Sequence, residues 1–490
     1  MTTDIAAIPL LWVVPLALYL LTFVVSFARR PILPHKWVLI AHPVLILPLA
    51  LWFYWFYELS LSTLFGIHLL AFFVTALMCH GELSRTRPHT DYLTDFYLWI
   101  SLGGVFGGAF NALLAPLIFN DIIEYRLAFI FACLLIPARQ YWRQIAQRPW
   151  HLVNAGLHSV LIVGVLLLLM GEGNIQSTAL AGLAGTIAIV LLVLKLSGHP
   201  VWYGLVLAVI FSAGAFYHQE NNTILFQGRS YFGVHKAMRV GSYHKLYHGT
   251  TIHGIQHQDY DLELEPIAYY SREGPLGQMF DHLALRPKHR RVAIIGLGSG
   301  AIACYGRRNE RWTFFEIDPL VKKIATNNHY FTYMQNCPPA KEIVIGDARL
   351  TLKRAPAHAF DIIILDAFTS DAIPIHLLTH EAIQLYLSKL RPGGVVIFHI
   401  SNRHINLSPV LREIADKLGL AILAAYDYDT PQYYEEGMIF ESKWMVMARK
   451  STEFGNLANG PMWEVPKKVH GTRLWTDDYS DLFNTISWFQ

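Results

Sequence analysis

Residues 291–319 read RVAIIGLGSGAIACYGRRNERWTFFEIDP, and the fold of the C-terminal half follows from them. Val292 to Ile295 form a short apolar run, the mark of a strand buried on both faces of a parallel sheet. Gly296, Gly298 and Gly300 follow at once in G-x-G-x-G spacing. Glycines there let the chain turn sharply and let a ligand approach bare main chain. A second apolar run, Trp312 to Ile317, carries Glu316 near its end, about twenty residues after the first glycine. An acid at that distance meets ribose hydroxyls in nucleotide-binding βαβ units. A glycine triplet alone would fit any tight turn. The whole succession of strand, glycines, helix-length spacer, second strand and acid points to nucleoside binding.

Outward from this stretch the α/β pattern continues. Glu342 to Gly346 predicts a third strand ending in Asp347, and Asp361 to Leu365 a fourth ending in Asp366. Val395 to Ile400 predicts a fifth, after the turn Arg391-Pro392-Gly393-Gly394, and Lys443 to Ala448 a late one. Helical segments over 319–331, 376–390 and 408–418 fill the gaps. Strands alternating with helices predict a doubly wound parallel sheet, whose ligands lie beyond the carboxyl ends of the strands. Glu316, Asp347 and Asp366 all stand at such ends, and Asp371 follows in the next loop. One of these acids could be a helix cap. Four in one crevice instead suggest a nucleoside site, through Glu316 and Asp347, beside an anionic pocket for an amine.

Before this domain, from Thr223 to Leu264, short aromatic and β-branched runs alternate with glycines and predict a small antiparallel subdomain. Its histidines, His244, His248, His253 and His257, match no zinc spacing, so no metal is expected. The chain of 490 residues is 53% hydrophobic and only 15% charged, with a mean hydropathy of +0.32. Soluble domains carry about a quarter charged residues. Lipid is therefore the expected solvent for part of the chain. The net charge of +3 is too small to argue for nucleic acid and no arginine-rich run points there, so no nucleic-acid partner is expected. Cys79, Cys133, Cys304 and Cys337 lack CxxC spacing and read as unpaired thiols.

Apolar runs of spanning length fill the first 217 residues: 8–27, then near 37–57, 61–79, 96–119, 122–137, 151–170, 177–196 and 201–217. They predict seven or eight transmembrane helices. Gly103, Gly104, Gly107 and Gly108 suit close helix packing. Arg29, Arg30, Lys36, Arg85, Arg87, Arg139, Arg143 and Arg148 mark alternate loops as cytoplasmic, which puts the N-terminus outside. Seven spans then leave the C-terminal half in the cytoplasm and eight put it outside. A nucleoside cofactor favours the cytoplasm.

The blocks IIGLGSG, EIDP, GDAR and LDAFTSDAIP resemble the spermidine synthases, the polyamine aminopropyltransferases. With PLLWVVPLALYLLTF and FYLWISLGGVFGGAFNALLAP, the chain looks most like the bacterial branch fused to a multi-span membrane region. The resemblance implies a transmembrane region over 1–220, a small β-subdomain over 221–270, a Rossmann-like domain of class I methyltransferase type over 271–450 and a tail over 451–490. It implies a multi-pass inner-membrane enzyme with a cytoplasmic C-terminal domain, which takes decarboxylated S-adenosylmethionine and an amine substrate. A homodimer is a further expectation. Carried onto this chain, Gly296, Gly298, Ser299, Gly300, Glu316, Asp347 and Ala348 would bind the co-substrate. Asp366 would be the catalytic acid, and Asp371, Tyr269 and Tyr270 would meet the amine. Ser299 stands where the family's loop normally has an aspartate, and four residues separate Asp371 from Asp366 instead of two. Two other readings stay open: an S-adenosylmethionine-dependent methyltransferase on the same fold, and a membrane protein that senses a nucleoside or polyamine.

Overall fold

The computed structural model describes residues 12–30, 32–55, 61–135, 200–217, 222–283, 289–368, 373–402, 405–427, 438–460 and 462–485. The chain divides into two compact units, one built on Asn222–Gln490 and the other on Pro9–Asn221.

The first of these holds two sheets. Strands β1 (Asn222–Ser230), β2 (Gly233–Val240), β3 (Tyr243–His248) and β4 (Thr251–His257) form an antiparallel meander in that order. The larger sheet has eight strands: β5 (Arg291–Ile295), β6 (Arg311–Glu316), β7 (Ala340–Ile345), β8 (Phe360–Leu365), β9 (Leu390–His399), β10 (Ala421–Asp427), β11 (Ser442–Ala448) and β12 (Trp463–Glu464). Their order is β12-β10-β11-β9-β8-β5-β6-β7. β5 to β9 run parallel, and β11 lies antiparallel between β9 and β10. Leaving aside β12, this is the class I methyltransferase-type order that the resemblance implies. Val292, Ile294, Ile362, Ile364, Val395 and Ile397 are all 2% exposed or less, as expected of strands covered on both faces.

The chain leaves β5 toward β6 on one side and reaches β8 on the other, so the ends of β5 and β8 bound the crevice where the strand order reverses. The main chain closes tightly there. Asp366 donates its N–H to the Ile295 carbonyl at 2.8 Å, and Gly296, at φ +102°, has the Asp366 carbonyl 2.1 Å from where a Cβ would stand. At Gly298, φ +53°, the His253 carbonyl of β4 fills the same position at 2.7 Å. The glycines thus admit neighbouring backbone as well as lining the crevice.

Three features depart from the expected pattern. β9 runs through Arg391-Pro392-Gly393-Gly394, with the pairing to β8 shifting register between Phe360 and Ile362. β10 was not foreseen, because AILAAYD is alanine-rich and shows no period-two alternation. Cys304 and Cys337 form a disulfide with Cα atoms 4.8 Å apart, which corrects the reading of unpaired thiols. They lie 33 residues apart in sequence. The turn Ala301–Tyr305 after the glycine loop and the helix Tyr333–Asn336 bring them together.

In the second unit, the helices Val13–Ser26 and His35–Trp55 pack on Leu61–Arg85, and Pro200–Tyr217 packs on Ile123–Leu134 and His35–Trp55. Among the described residues two helices, Phe65–Arg85 and Thr90–Ile118, are long and apolar enough to cross a membrane. The expected spans near 151–170 and 177–196 lie outside the described residues. Two polar pairs join helices inside the unit: Thr22 with His80 at 2.7 Å, and His68 with Tyr125 at 2.6 Å. A Cβ added at Gly103, Gly104, Gly107 or Gly108 would meet nothing within 4 Å, so this face packs on none of the described helices. Trp99, Val105, Phe106 and Leu117, all within Thr90–Ile118, are each at least 65% exposed.

The disulfide closes a loop whose chain entropy corresponds to about 3–4 kcal/mol. Peptide mapping without reductant should recover Cys304 and Cys337 cross-linked, and Cys304→Ser should lower unfolding stability by about that amount. Recovery of two free thiols would overturn the pairing.

Candidate functional site

A single cavity runs over the carboxyl ends of β5, β6, β7 and β8 and brings Glu316, Asp347 and Asp366 to one wall. Each acid is held differently. Glu316 ends β6 and is 7% exposed; its carboxylate accepts from the Leu297 N–H at 3.0 Å and the Asp318 N–H at 2.8 Å. The acid thereby ties the glycine loop to its own strand end. Burial pushes its pKa up to about 7, against the pull of those two donors. A carboxylate has about four lone-pair sites. Two remain for ligand hydroxyls.

Asp347 caps the helix Ala348–Lys353, accepting from the Leu350 N–H at 2.9 Å, and takes a second bond from His376 Nε2 at 3.0 Å. Ala348 lines the cavity beside it.

Asp366 follows β8 and is bonded on both oxygens. The Tyr270 hydroxyl donates to Oδ2 at 2.7 Å and His399 Nδ1 to Oδ1 at 2.6 Å. Tyr270 reaches it because Ala268 adopts φ +60° and bonds Met438 and Phe440 through its main chain, aiming the two following tyrosines at the sheet. Tyr305 donates its hydroxyl to the Tyr270 carbonyl at 2.7 Å and fixes that segment. Burial and the neighbouring Asp366 carboxylate raise the Tyr270 pKa well above the usual tyrosine value, so it remains a phenol donor. Tyr269 lies in the cavity wall with its ring 5.4 Å from that of His399.

The small sheet also lines the cavity. His235, His248 and His253, on β2, β3 and β4, face the cavity. His235 Nε2 donates to Asp318 at 2.9 Å and His248 Nε2 to the Phe232 carbonyl at 2.9 Å. Burial lowers His248 to about 4 and His253 well below the ordinary histidine value, so both rings are neutral near pH 7.

Several expected residues take other places. Ser299 is 1% exposed and turns away from the cavity; its hydroxyl lies 2.2 Å from where a Cβ on Gly254 would stand. It does not offer its side chain to a ligand, because β4 covers it. Gly300, at φ +88°, turns the chain into Ala301–Tyr305 and meets Met334 rather than the cavity. Asp371 lies outside the described residues. Sequence reasoning missed His399, Ser401, His376 and His235. His399 and Ser401 carried one signal, being polar residues at the carboxyl end of an otherwise apolar strand. His376 and His235 carried none, since they meet their partners only across the fold.

Residues 277–450 match the family model described as the spermine/spermidine synthase domain, about a third of the chain. The chain is similar to a polyamine aminopropyltransferase of Vibrio vulnificus (strain CMCP6), 35% identical over 120 residues, 24% of this chain and 39% of that protein. It is also similar to spermidine synthase 1 of Hyoscyamus niger, 25% identical over 223 residues, 44% of this chain and 66% of that protein. Among solved structures, a probable spermidine synthase from Corynebacterium glutamicum ATCC 13032 aligns over 53% of this chain and 98% of its own, with 15% identity and a TM-score of 0.40. The C-terminal region therefore carries a spermidine synthase domain, a transferase domain of polyamine aminopropyltransferase type.

Glu316 yields a pH prediction. Its folded pKa of about 7 lies above the ordinary 4.5, so its contribution is fully present below about 4.5 and is lost as pH rises through 7. The loss amounts to about 3 kcal/mol. Wild-type melting temperature should fall between pH 5 and pH 8 by more than that of Glu316→Gln. Parallel pH courses would show that Glu316 does not titrate in this range.

Proposed function

We propose that the chain is a membrane-anchored aminopropyltransferase that moves an aminopropyl group from decarboxylated S-adenosylmethionine to a diamine such as putrescine. The observation that carries this reading is Asp366: a carboxylate beyond the end of β8, oriented by Tyr270 and His399, in one cavity with the acids ending β6 and β7. The reaction needs the co-substrate's adenosyl end held, an amine aimed at its three-carbon arm and a proton removed. Glu316 is placed for the ribose, through lone pairs that its backbone donors leave open. Asp347 and Ala348 are placed for the adenine side. Asp366 orients the incoming amine, and Tyr269 and Tyr270 form an apolar, donor-bearing wall beside it. A protonated amine is no nucleophile, so a base near the acceptor nitrogen contributes directly to rate. The bound co-substrate supplies a sulfonium carbon activated toward displacement.

A second reading has one observation in its favour. Because Ser299 turns away, the glycine loop places no carboxylate in the cavity to repel that of intact S-adenosylmethionine. A methyltransferase on the same fold is therefore the alternative.

The reading places the transferase domain on the cytoplasmic face of a bacterial-type inner membrane, where adenosyl co-substrates are made. The Cys304–Cys337 disulfide pulls the other way, since disulfides persist in oxidising compartments. Reporter fusions at residue 490 decide between them: activity from a cytoplasmic reporter alone is expected, and a periplasmic signal would remove the cytoplasmic placement.

Two variants test the chemistry. Glu316→Ala should weaken methylthioadenosine binding at least tenfold in calorimetric titration, because hydrogen bonds to a charged group contribute about 1.5–3 kcal/mol. Asp366→Asn should abolish aminopropyl transfer to putrescine while leaving that binding intact. Wild-type protein that methylates an amine but transfers no aminopropyl group would establish the alternative. Binding with neither turnover would leave only sensing.

A further inference from the structure

Ser401, His399 and Asp366 form a continuous hydrogen-bonded line at the cavity, with His399 buried and the two ends half-buried. Ser401 Oγ lies 2.7 Å from His399 Nε2, and His399 Nδ1 lies 2.6 Å from Asp366 Oδ1. The donors can be assigned from inventory. An ionised carboxylate only accepts, so His399 Nδ1 carries a hydrogen; in the neutral ring Nε2 is then the acceptor and takes the Ser401 hydroxyl. Ser401 Oγ in turn accepts the Lys443 N–H at 2.8 Å. A hydroxyl has one donor and two lone pairs. With its hydrogen given to His399 and one lone pair to Lys443, Ser401 keeps one lone pair for the cavity it lines.

We propose that His399 is the proton acceptor of the transfer, reached from the cavity through the Ser401 hydroxyl, while Asp366 holds its ring in the right tautomer. The proposal rests on the transferase reading and relocates its base. Asp366 accepts from Tyr270 on one oxygen and from His399 on the other, and the lone pair left on each serves to orient the incoming amine. The ring's own basic nitrogen faces Ser401.

The steps balance. An acceptor amine arrives as R–NH3+ and donates one N–H to Ser401 Oγ. That proton passes to Ser401 as the Ser401 hydroxyl proton passes to His399 Nε2, leaving R–NH2 and an imidazolium. The amine nitrogen then attacks the carbon attached to the sulfonium sulfur. The C–N bond forms, the C–S bond breaks with its electron pair going to a neutral thioether, and nitrogen takes up the positive charge. The proton on His399 returns to solvent as products leave.

The surroundings suit an imidazolium. Asp366 lies against Nδ1, and the Trp444 ring stacks on His399 with centroids 4.3 Å apart and planes 11° apart, within cation–π range. Tyr269, Tyr270 and Phe368 close the remaining sides, with ring centroids between 4.8 and 6.1 Å. The titratable groups facing His399 are thus Asp366, Tyr269 and Tyr270, with His253 beyond them. Tyr270 stays a phenol and His253 stays neutral, both because of burial. Glu316, raised to about 7, lines the same cavity, so an acid limb in the kcat profile is assigned to the Asp366–His399 pair where it persists in Glu316→Gln and vanishes in His399→Gln.

The test is the pH dependence of aminopropyl transfer to putrescine by the full-length chain, with methylthioadenosine affinity measured alongside. His399→Gln can still bond both neighbours but cannot take a proton. It should lower kcat about 100-fold or more, the usual scale of general-base loss. KM and methylthioadenosine affinity should stay near wild type, and the acid limb should disappear. Ser401→Ala should lower kcat at least tenfold by the same route and serves as the second probe should His399→Gln lose nucleoside binding. Wild-type kcat with an intact acid limb in a variant that still binds methylthioadenosine would overturn the proposal. A wild-type chain that binds methylthioadenosine but transfers to no diamine would instead sink the transferase reading and this base with it.

Discussion

Everything at the site depends on the contact between the ends of β5 and β8. The Asp366 N–H bonds the Ile295 carbonyl, and the Asp366 carbonyl occupies the space beside Gly296 that any side chain would need. That close approach has two consequences. It forces glycine, at φ +102°, at the head of the loop. It also fixes the Asp366 side chain over the point where the strand order reverses, which parallel sheets reserve for ligands. Because β5 and β8 pair through residues at most 2% exposed, a shift of register there would cost buried apolar area and hydrogen bonds together.

Around that fixed point the polar groups form a connected network. Tyr305 holds the Tyr270 carbonyl, Tyr270 holds Asp366, Asp366 holds His399, and Ser401 links the ring to the β11 main chain at Lys443. Buried networks stabilise only when their members are satisfied. Here the segment before β5 and strands β8, β9 and β11 all contribute to one chain of bonds. Its members are therefore pre-positioned by the sheet, the condition under which a base or an orienting acid is effective. Glu316 does the same on the neighbouring strand, coupling the glycine loop to the end of β6 at the cost of burying a carboxyl group.

The small sheet does more than cover the crevice. It seals Ser299 behind Gly254, sets the His253 carbonyl against Gly298 and supplies a wall of neutral imidazoles. The third cavity-lining histidine of that sheet, His235, is paired with Asp318.

The linear sequence determined the parallel sheet, its glycine turn and the strand-end acids Glu316, Asp347 and Asp366. Apolar runs, glycine spacing and a polar residue closing a strand are local patterns, legible without knowing what they pack against. The apolar runs of the first 217 residues are local in the same way. Tertiary structure alone decided which groups meet. Tyr270 reaches Asp366 across 96 residues and His399 reaches the same carboxylate across 33, while Cys304 finds Cys337 through a turn and a helix that the pattern leaves undefined. It also decided that Ser299, beside the cavity in sequence, faces out of it, because a side chain's direction after a left-handed glycine is set by whichever strand closes over the loop. Periodicity specifies which residues are buried and where strands stop; hydrogen-bond partners between distant segments depend on how those strands are ordered and is information no local window contains.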